Sequence, residues 1–316
     1  MTVQRTDFIM NTPVEQTVCG PDADAIAAQA VDLMRRLECI LSFFLPGSDV
    51  WNLNEAAGHG AVPLQPETVE VLREALHYSR LSGSAFDVTA APLTDLWRRC
   101  GKQQKVPDGD EIRRLQALVG YQHLEVGDDT ACLSSEGCAV DLGGIAKGLA
   151  ADACVQLYRA EGVESAFVNL GGNVKAIGGK TPSEPWSVGL QHPGLPRGAS
   201  FASLAVVDES VVTSGSYERF ATVDGHRYHH IIDPRTGWPS DSGLQSVTVI
   251  CESSMKADAL STAAFVLGLD DGLTLVCEQG TDAVFLTDDG DVYITPGVRS
   301  RFQLAPDCGF QCYVGA

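Results

Sequence analysis

The chain contains few basic residues for its length. Among 316 residues there are 22 Lys and Arg against 41 Asp and Glu, which gives a net charge of −19. Binding of duplex nucleic acid depends on a basic surface that neutralises phosphates, and docking on an anionic leaflet depends on basic segments. The composition therefore disfavours both functions. The hydrophobic fraction of 44% is enough for a folded core and argues against disorder.

Segments that cross or target membranes are also lacking. No stretch approaches the roughly 20 apolar residues that a spanning helix needs. The first 20 residues include Asp7 and Glu15 and contain no apolar segment of signal-peptide length. We therefore expect a cytoplasmic protein, although a chain from which an export signal had been removed would look the same.

The ten cysteines do not form a recognisable framework, since no C-x-x-C pair is present. Four lie inside apolar runs and are predicted to be small core residues: Cys39, Cys154, Cys251 and Cys277. Two closer pairs, Cys132 with Cys138 and Cys308 with Cys312, leave a bridge or a metal pair open. Neither has a second pair at zinc-site spacing, so a reducing compartment fits best.

Hydrophobic periodicity and turn residues predict an α+β fold. Helices are expected at 22–45, 66–81, 107–119, 144–160 and 256–268. Strands are expected at 165–170, 186–190, 203–212, 246–251 and 283–287. The alternation is irregular and shows no βαβ period. Exposed connections are predicted at 98–110 and 192–200. The length suits a single domain over 1–316, or two interlocked subdomains.

Glycine clusters occur at 141–148, 169–173 and 213–215. The first runs into a predicted helix, where free N–H groups and Lys147 favour a phosphate. Close packing or a plain turn would explain any one cluster. The three together favour a phosphate-bearing ligand. No G-x-G-x-x-G follows a strand, and the P-loop pattern fails because Val174 stands where its first glycine is required.

Two further patterns could carry chemistry. Asp258 and Thr262 are four apart on a predicted helix, so their oxygens share one face and could bind Mg²⁺ if carbonyl oxygens lay nearby. A hydrogen bond on the helix surface is the alternative. His230, which follows His226 and His229, could accept a proton from a nucleophile, or it could cap a turn.

The segment Ala85-Phe86-Asp87-Val88-Thr89 also has two interpretations. Its aromatic ring and polar neighbours could lie against a ring ligand. It could equally be a strand edge with a capping Asp.

Taken together and in order, these motifs resemble the ApbE family of FAD:protein FMN transferases over about residues 10–290. The matching segments are Ser42-x-Phe44 through Asn54, Ala85 to Thr89, Asp141 to Asp152, Asn169 to Asn173, Thr213 to Gly215 with Tyr217 to Arg219, His230 to Gly237, and Ala257 to Thr262. Each segment alone is weakly diagnostic, whereas the ordered set is specific.

The resemblance implies an ApbE-like, T-fold-like architecture of two interlocked α+β subdomains with the flavin site between them. It implies post-translational flavinylation: a Mg²⁺-dependent transfer of the FMN half of FAD onto a Ser or Thr hydroxyl of an acceptor flavoprotein, with release of AMP. The implied metal ligands are the backbone of Gly144, with Asp258 and Thr262, and Ser261 as a further oxygen. His230 is the candidate base.

The resemblance also implies contacts to FAD. They fall on Met10, Phe44, Ala85, Phe86, Asp87, Asp141, Lys147 and Ile232. Phe44 stands where the family has a ring-stacking Tyr. Asn11 replaces a family Gly in Met-Gly-Thr, so the backbone there is expected to differ. The usual lipoprotein leader is not seen.

Two other functions would use the same residues. With water as the nucleophile, the site would hydrolyse FAD to FMN and AMP. Without turnover, the protein would only bind or store FAD. The predicted metal set and His230 favour an enzyme, because storage needs neither.

Overall fold

Helices and strands are mixed along the chain, as predicted for an α+β protein. The structure is a computed structural model and describes residues 1–315. The α-helices are α1 (Ala23–Leu41), α2 (Asp49–Glu55), α3 (Pro66–Leu81), α4 (Ala91–Lys102), α5 (Gly109–Gln116), α6 (Ala146–Ala160), α7 (Ser254–Leu267) and α8 (Leu269–Glu278). Short 3₁₀ helices cover Val88–Ala90, Tyr121–His123 and Pro296–Val298.

The strands in the first half of the chain are β1 (Thr2–Ile9), β2 (Thr12–Cys19), β3 (Val62–Pro63), β4 (Leu124–Val126), β5 (Thr130–Leu133), β6 (Ser165–Leu170) and β7 (Asn173–Ile177). Those that follow are β8 (Trp186–Gln191), β9 (Ser200–Val206), β10 (Ser210–Gly215), β11 (Phe220–Val223), β12 (His226–His229), β13 (Ile232–Asp233), β14 (Trp238–Pro239), β15 (Leu244–Cys251), β16 (Asp282–Thr287), β17 (Asp291–Ile294), β18 (Phe302–Leu304) and β19 (Gln311–Val314).

A nine-stranded sheet organises the molecule, in the order β1-β2-β6-β7-β10-β15-β16-β17-β19. Its neighbours pair antiparallel except for β17 and β19, which are parallel. Smaller sheets join β8, β9 and β18, and β3, β4 and β5, while β11–β12 and β13–β14 are two-stranded ribbons.

The central strands of the large sheet are buried on both faces, and their alternating side chains enter two different cores. Val212 and Val249 lie in the main core beneath the helices. Their neighbours Val211 and Ile250 point the other way, into a second core against the β8–β9–β18 sheet. Strands buried on both faces have continuous apolar runs, and this is why they were visible in the sequence.

Helix α7 lies at the centre of the helical layer. It packs against α6, α8, β10 and β15, and its only residues that are not buried are Lys256, Thr262 and Leu267. The close approach of α6 depends on Gly148, where an added Cβ would lie 2.5 Å from the Met255 Cα. Thr262 is therefore a partly exposed polar residue in the middle of a helix that is otherwise almost entirely buried.

A third core forms a lobe at the side of the molecule, where α4, α5 and β13 meet. Its buried members are Leu93, Leu96, Trp97, Ile112 and Ile232. The Trp97 Nε1 donates a hydrogen bond to the carbonyl of Gly237 at 2.9 Å. This contact ties α4 to the turn between β13 and β14.

Most of the predicted elements are confirmed, with four differences. The predicted strand 203–212 is two strands, β9 and β10, because the chain turns at Asp208, whose φ is +54°. The predicted connection 98–110 is partly helical, since α4 continues to Lys102. The first helix ends at Leu41 rather than at 45, and the β1–β2 hairpin was not predicted.

The cysteine predictions were only partly right. Cys154 is buried and Cys251 is half-buried, but Cys39 and Cys277 are exposed, so their apolar neighbours turn inward while the thiols do not. All ten cysteines are free, so neither candidate pair forms a bridge. Within residues 1–315, no helix has the length and apolar character to cross a membrane.

Substitution of Gly148 by Ala is expected to destabilise the fold by about 1–3 kcal/mol, because the new methyl group would overlap backbone atoms of Ser254 and Met255. The free energy of unfolding in urea measures the effect. Gly109→Ala is the matched control, because there the nearest atom to the new Cβ is the flexible end of Arg113, at 3.6 Å. Equal stability of the two variants would contradict the proposed packing.

Candidate active site

Asp258 lies where α6 and α7 pack together, and it is only 4% exposed to solvent. Its Oδ2 accepts a hydrogen bond from the backbone N–H of Gly148 at 3.0 Å. Its Oδ1 lies 3.7 Å from the Lys147 Nζ. A buried carboxylate is costly unless it is paired and hydrogen-bonded, and the first turn of α6 supplies both partners.

Three hydroxyl groups cluster near the backbone of Asp258. The Ser214 Oγ, at the end of β10, lies 2.9 Å from the Ser261 Oγ and 3.1 Å from the Thr262 Oγ1. Ser261 and Thr262 also donate to the Asp258 carbonyl, at 3.0 and 3.3 Å. Each hydroxyl has one proton and two lone pairs, so lone pairs on Ser261 and Thr262 stay available as oxygen ligands.

The glycine-rich turn before α6 lies next to these hydroxyl groups. The Asp141 Oδ1 accepts from the Gly143 N–H at 2.8 Å, and the Lys147 Nζ donates to the Gly143 carbonyl at 2.9 Å. A Cβ at Gly144 would lie 3.2 Å from the Phe86 ring and 3.6 Å from the Thr262 Oγ1. The turn is thus the neighbouring element that the Asp258 and Thr262 pair required.

These groups form an oxygen set with a single carboxylate. Within residues 1–315, no three His, Cys, Asp or Glu side chains are arranged to hold a metal ion. Around Asp258 the remaining oxygens are hydroxyls and peptide carbonyls. A Mg²⁺ ion takes oxygen ligands and commonly binds through one or two carboxylates together with waters and substrate phosphates. The donor set therefore fits that ion.

His230 follows β12 and is held by the backbone. Its Nδ1 lies 3.1 Å from the carbonyl of Arg219, and its N–H donates to the same oxygen at 3.1 Å. Burial and the positive charge of Arg219 lower the pKa of His230 to about 3. The ring is therefore neutral at physiological pH. A proton on Nδ1, donated to Arg219, leaves Nε2 as the basic nitrogen.

A group of cationic side chains surrounds Asp141. Burial raises the pKa of Asp141, and the hydrogen bond from Gly143 and the charges of Arg219, Arg98 and Lys147 oppose that shift. Lys147 also contributes to lowering the pKa of His230. The turn at Gly143, the ring of His230 and these cations therefore share one electrostatic environment, despite the net charge of the chain.

Ala85, Phe86 and Asp87 precede the 3₁₀ helix Val88–Ala90 and are all buried. The carboxylate of Asp87 accepts from the Thr89 N–H at 2.9 Å and from the Tyr121 N–H at 2.9 Å. Burial raises its pKa. The segment is therefore not a strand edge. Asp87 caps a 3₁₀ helix, and its oxygens are already engaged by the protein.

Phe44 lies in the loop after α1 and is 57% exposed. The guanidinium carbon of Arg98 lies 4.2 Å from the centroid of its ring. The ring centroid of Phe43 lies 5.0 Å from that of Phe44, with the two rings nearly perpendicular. Phe44 thus presents an accessible aromatic surface, as stacking on a flavin requires. Arg98 had no role in the sequence prediction.

Met10 and Asn11 form the two-residue turn between β1 and β2, with φ of +52° and +60°. The Met10 N–H donates to the Glu38 Oε1 at 2.8 Å. Asn tolerates the left-handed conformation better than most residues. Asn11 therefore keeps a backbone conformation that a glycine would also adopt, which removes the reason for expecting a different turn.

Ile232 is buried, and its side chain belongs to the third core. Any contact of this residue with a ligand would have to come from its backbone. Ser214, Arg98 and Arg219 also lie at the candidate site, although sequence patterns gave none of them a role there. Ser214 could have been found from the Thr213-Ser214-Gly215 cluster, whereas no pattern placed Arg98 beside Phe44.

Comparison with known proteins identifies relatives over nearly the whole chain. The model of the ApbE family matches residues 10–285. An FAD:protein FMN transferase of Klebsiella pneumoniae (strain 342) is 36% identical, over 96% of this chain and 94% of that protein. An FAD:protein FMN transferase of Treponema pallidum (strain Nichols) is also 36% identical, over 90% of this chain and 83% of its own.

Solved structures agree with this result. The ApbE protein of Thermotoga maritima superposes with a TM-score of 0.87 at 32% identity, covering 95% of this chain and 99% of that one. The flavin transferase ApbE of Vibrio cholerae gives a TM-score of 0.85 at 26% identity, with the same coverage. The expected ApbE-like α+β architecture is confirmed.

The low pKa of His230 gives a testable prediction. An ordinary histidine, with a pKa of about 6.5, is mostly protonated at pH 5, whereas His230 is expected to remain neutral there because its half-buried ring is poorly solvated and its cation would be repelled by Arg219. The ¹⁵N shifts of the imidazole, followed from pH 8 to pH 4, measure this. The His230→Gln variant assigns the signal. A midpoint near the ordinary value would contradict this electrostatic environment.

Proposed function

The chain belongs to the ApbE family, and on that basis we propose that it transfers the FMN half of FAD onto a Ser or Thr hydroxyl of an acceptor flavoprotein. The hydroxyl oxygen attacks the phosphorus on the FMN side of the pyrophosphate. A phosphoester bond to the acceptor forms, the bond to the AMP oxygen breaks, and AMP leaves. One observation carries the proposal: a buried carboxylate, lysine and hydroxyls meet a glycine-rich turn beside a neutral histidine.

In this proposal Mg²⁺ would be held by Asp258 and Thr262, with the backbone of Gly144 and the hydroxyl of Ser261 as further oxygens. When bound, the ion would neutralise charge on the phosphate oxygens of FAD. The 4% exposure of Asp258 and the lone pairs of the hydroxyls support this assignment.

The residues of the chain itself would mainly bind and position. Lys147 would place its positive charge beside the glycine-rich turn, next to the pyrophosphate of FAD. Phe44 offers an exposed ring for the isoalloxazine. Phosphoryl transfer asks for little covalent chemistry from the protein, so holding the two reactants in line supplies much of the rate.

His230 is the proposed general base and would take the proton of the acceptor hydroxyl on Nε2. Its pKa of about 3 keeps it unprotonated before FAD binds but makes it a weak base.

We further propose that the cytoplasm is the compartment in which the protein works. All ten cysteines are free thiols, and such a number of unpaired cysteines is typical of a reducing environment.

Incubation with FAD and Mg²⁺, with and without a candidate acceptor, tests the activity. Covalent, fluorescent flavin on the acceptor, with one AMP released per flavin, is the expected result. Free FMN and AMP formed without acceptor would instead indicate a hydrolase. Unchanged FAD would contradict both transfer and hydrolysis, and would indicate a protein that binds FAD without turnover.

The Asp258→Asn variant tests the metal assignment. The amide can still accept the hydrogen bond of Gly148 but has no charge, so we expect metal-dependent transfer to fall by about a hundredfold or more, with little change in the thermal unfolding midpoint. Asp270→Asn, on an exposed position of α8, removes the same charge and should keep full activity. Full activity of Asp258→Asn at limiting Mg²⁺ would refute the assignment.

A further inference from the structure

Positive charge is concentrated at one end of α4. Arg98, Arg99, Lys102 and Lys105 fall within eight residues that contain no acid, and we call them the α4 basic surface. The other 308 residues of the chain carry a net charge of −23. Asp95 pairs with both arginines, so residues 95–105 keep a net charge of +3.

The two lysines are free to meet a partner. Lys102 and Lys105 are exposed, and within residues 1–315 neither has a carboxylate oxygen within 4 Å of its ammonium. Lys102 follows Arg98 by four positions, so both lie on one face of α4. The chain reverses after the helix, where the Lys105 N–H donates to the Cys100 carbonyl at 3.0 Å.

This surface borders the candidate active site. At its inner end the Arg98 guanidinium lies over the ring of Phe44. On its side, α4 packs on β11, where a Cβ at Gly101 would lie 2.9 Å from the Ala221 Cβ. Strand β11 pairs with β12, which leads directly into His230. The surface is thus connected through β11 and β12 to the segment that carries His230.

Two simpler roles do not account for all four cations. Lysine and arginine in the last turn of a helix stabilise its dipole by about 0.3–1 kcal/mol, which suits Arg99 and Lys102. That role does not require Arg98 on the ring of Phe44, nor Lys105 beyond the helix end. A nucleic acid would extend past the surface onto acidic regions of the chain, where it would be repelled.

We propose that the α4 basic surface docks an acidic segment of the acceptor protein, adjacent to the Ser or Thr that receives FMN. This inference rests on the proposed function. An acidic enzyme repels an acidic acceptor over most of its surface, so one local region of opposite charge both speeds encounter and selects the orientation.

Two fluorescent peptides test the inference by anisotropy, each with one central Thr. In one peptide Asp residues flank the Thr, and in the other Ser residues replace them. We expect the acidic peptide to bind about tenfold more tightly at low salt, with the difference reduced by added salt, since exposed charges are screened. The double variant Lys102→Glu/Lys105→Glu should abolish the difference.

The double variant Lys180→Glu/Arg299→Glu is the matched control. It changes the net charge by the same amount at exposed positions that lie outside the α4 basic surface. It should keep the preference for the acidic peptide. FAD affinity should stay within about twofold in both variants. Equal binding of the two peptides, or equal loss in both variants, would overturn the inference.

A loss of FAD affinity matching the loss of peptide binding would also overturn it, because the surface would then serve FAD. The binding assay does not depend on turnover. If the acidic peptide binds as expected but FMN is transferred to no acceptor, the proposed function fails while the charge preference of the surface stands.

Discussion

The pairing of the Asp258 carboxylate with the start of α6 is the interaction on which the site depends. A carboxylate that is 4% exposed needs compensation. It receives a hydrogen bond from Gly148 and the nearby charge of Lys147. Because both partners belong to the first turn of α6, the same contact fixes the glycine-rich turn before that helix. The charge of one buried residue thus positions two elements.

The fold makes this contact possible by enclosing α7. Helices cover one face of the nine-stranded sheet, and α7 lies among them with nearly every residue buried. Asp152 on α6 accepts from the Ser254 and Met255 N–H groups at the start of α7, at 2.9 and 3.0 Å, and pairs with the buried Lys175. Helices α6 and α7 are thus joined at two points, at the start of α7 and at Asp258. These two contacts restrict the movement of the oxygen set. Such pre-positioning is what phosphoryl transfer demands.

Sequence patterns predicted the parts of the molecule that rest on local or periodic signals. Strands buried on both faces and amphipathic helices were found because their apolar residues repeat. Asp258 and Thr262 were found because helical spacing places them on one face. The split at Asp208 was missed, since a single residue with positive φ leaves little trace in hydrophobic periodicity.

The long-range contacts of the site could not be predicted in this way. Nothing local shows that Ser214 meets Thr262 at 3.1 Å, that Arg98 covers Phe44, or that Asp87 is engaged by Tyr121. Each contact joins distant segments and exists only after the sheet and helices have packed. The resemblance to the ApbE family supplied the candidate site residues, and the structure adds which of their side chains are already engaged by the protein.

Crystals grown with FAD and Mn²⁺, as an anomalous substitute for Mg²⁺, would show whether Asp258 and Thr262 hold the metal. We expect one strong anomalous peak at about 2.0–2.3 Å from an Asp258 carboxylate oxygen and the Thr262 hydroxyl, next to Gly144 and the FAD pyrophosphate. A peak at another set of residues, or FAD bound without any peak at Asp258, would contradict this assignment.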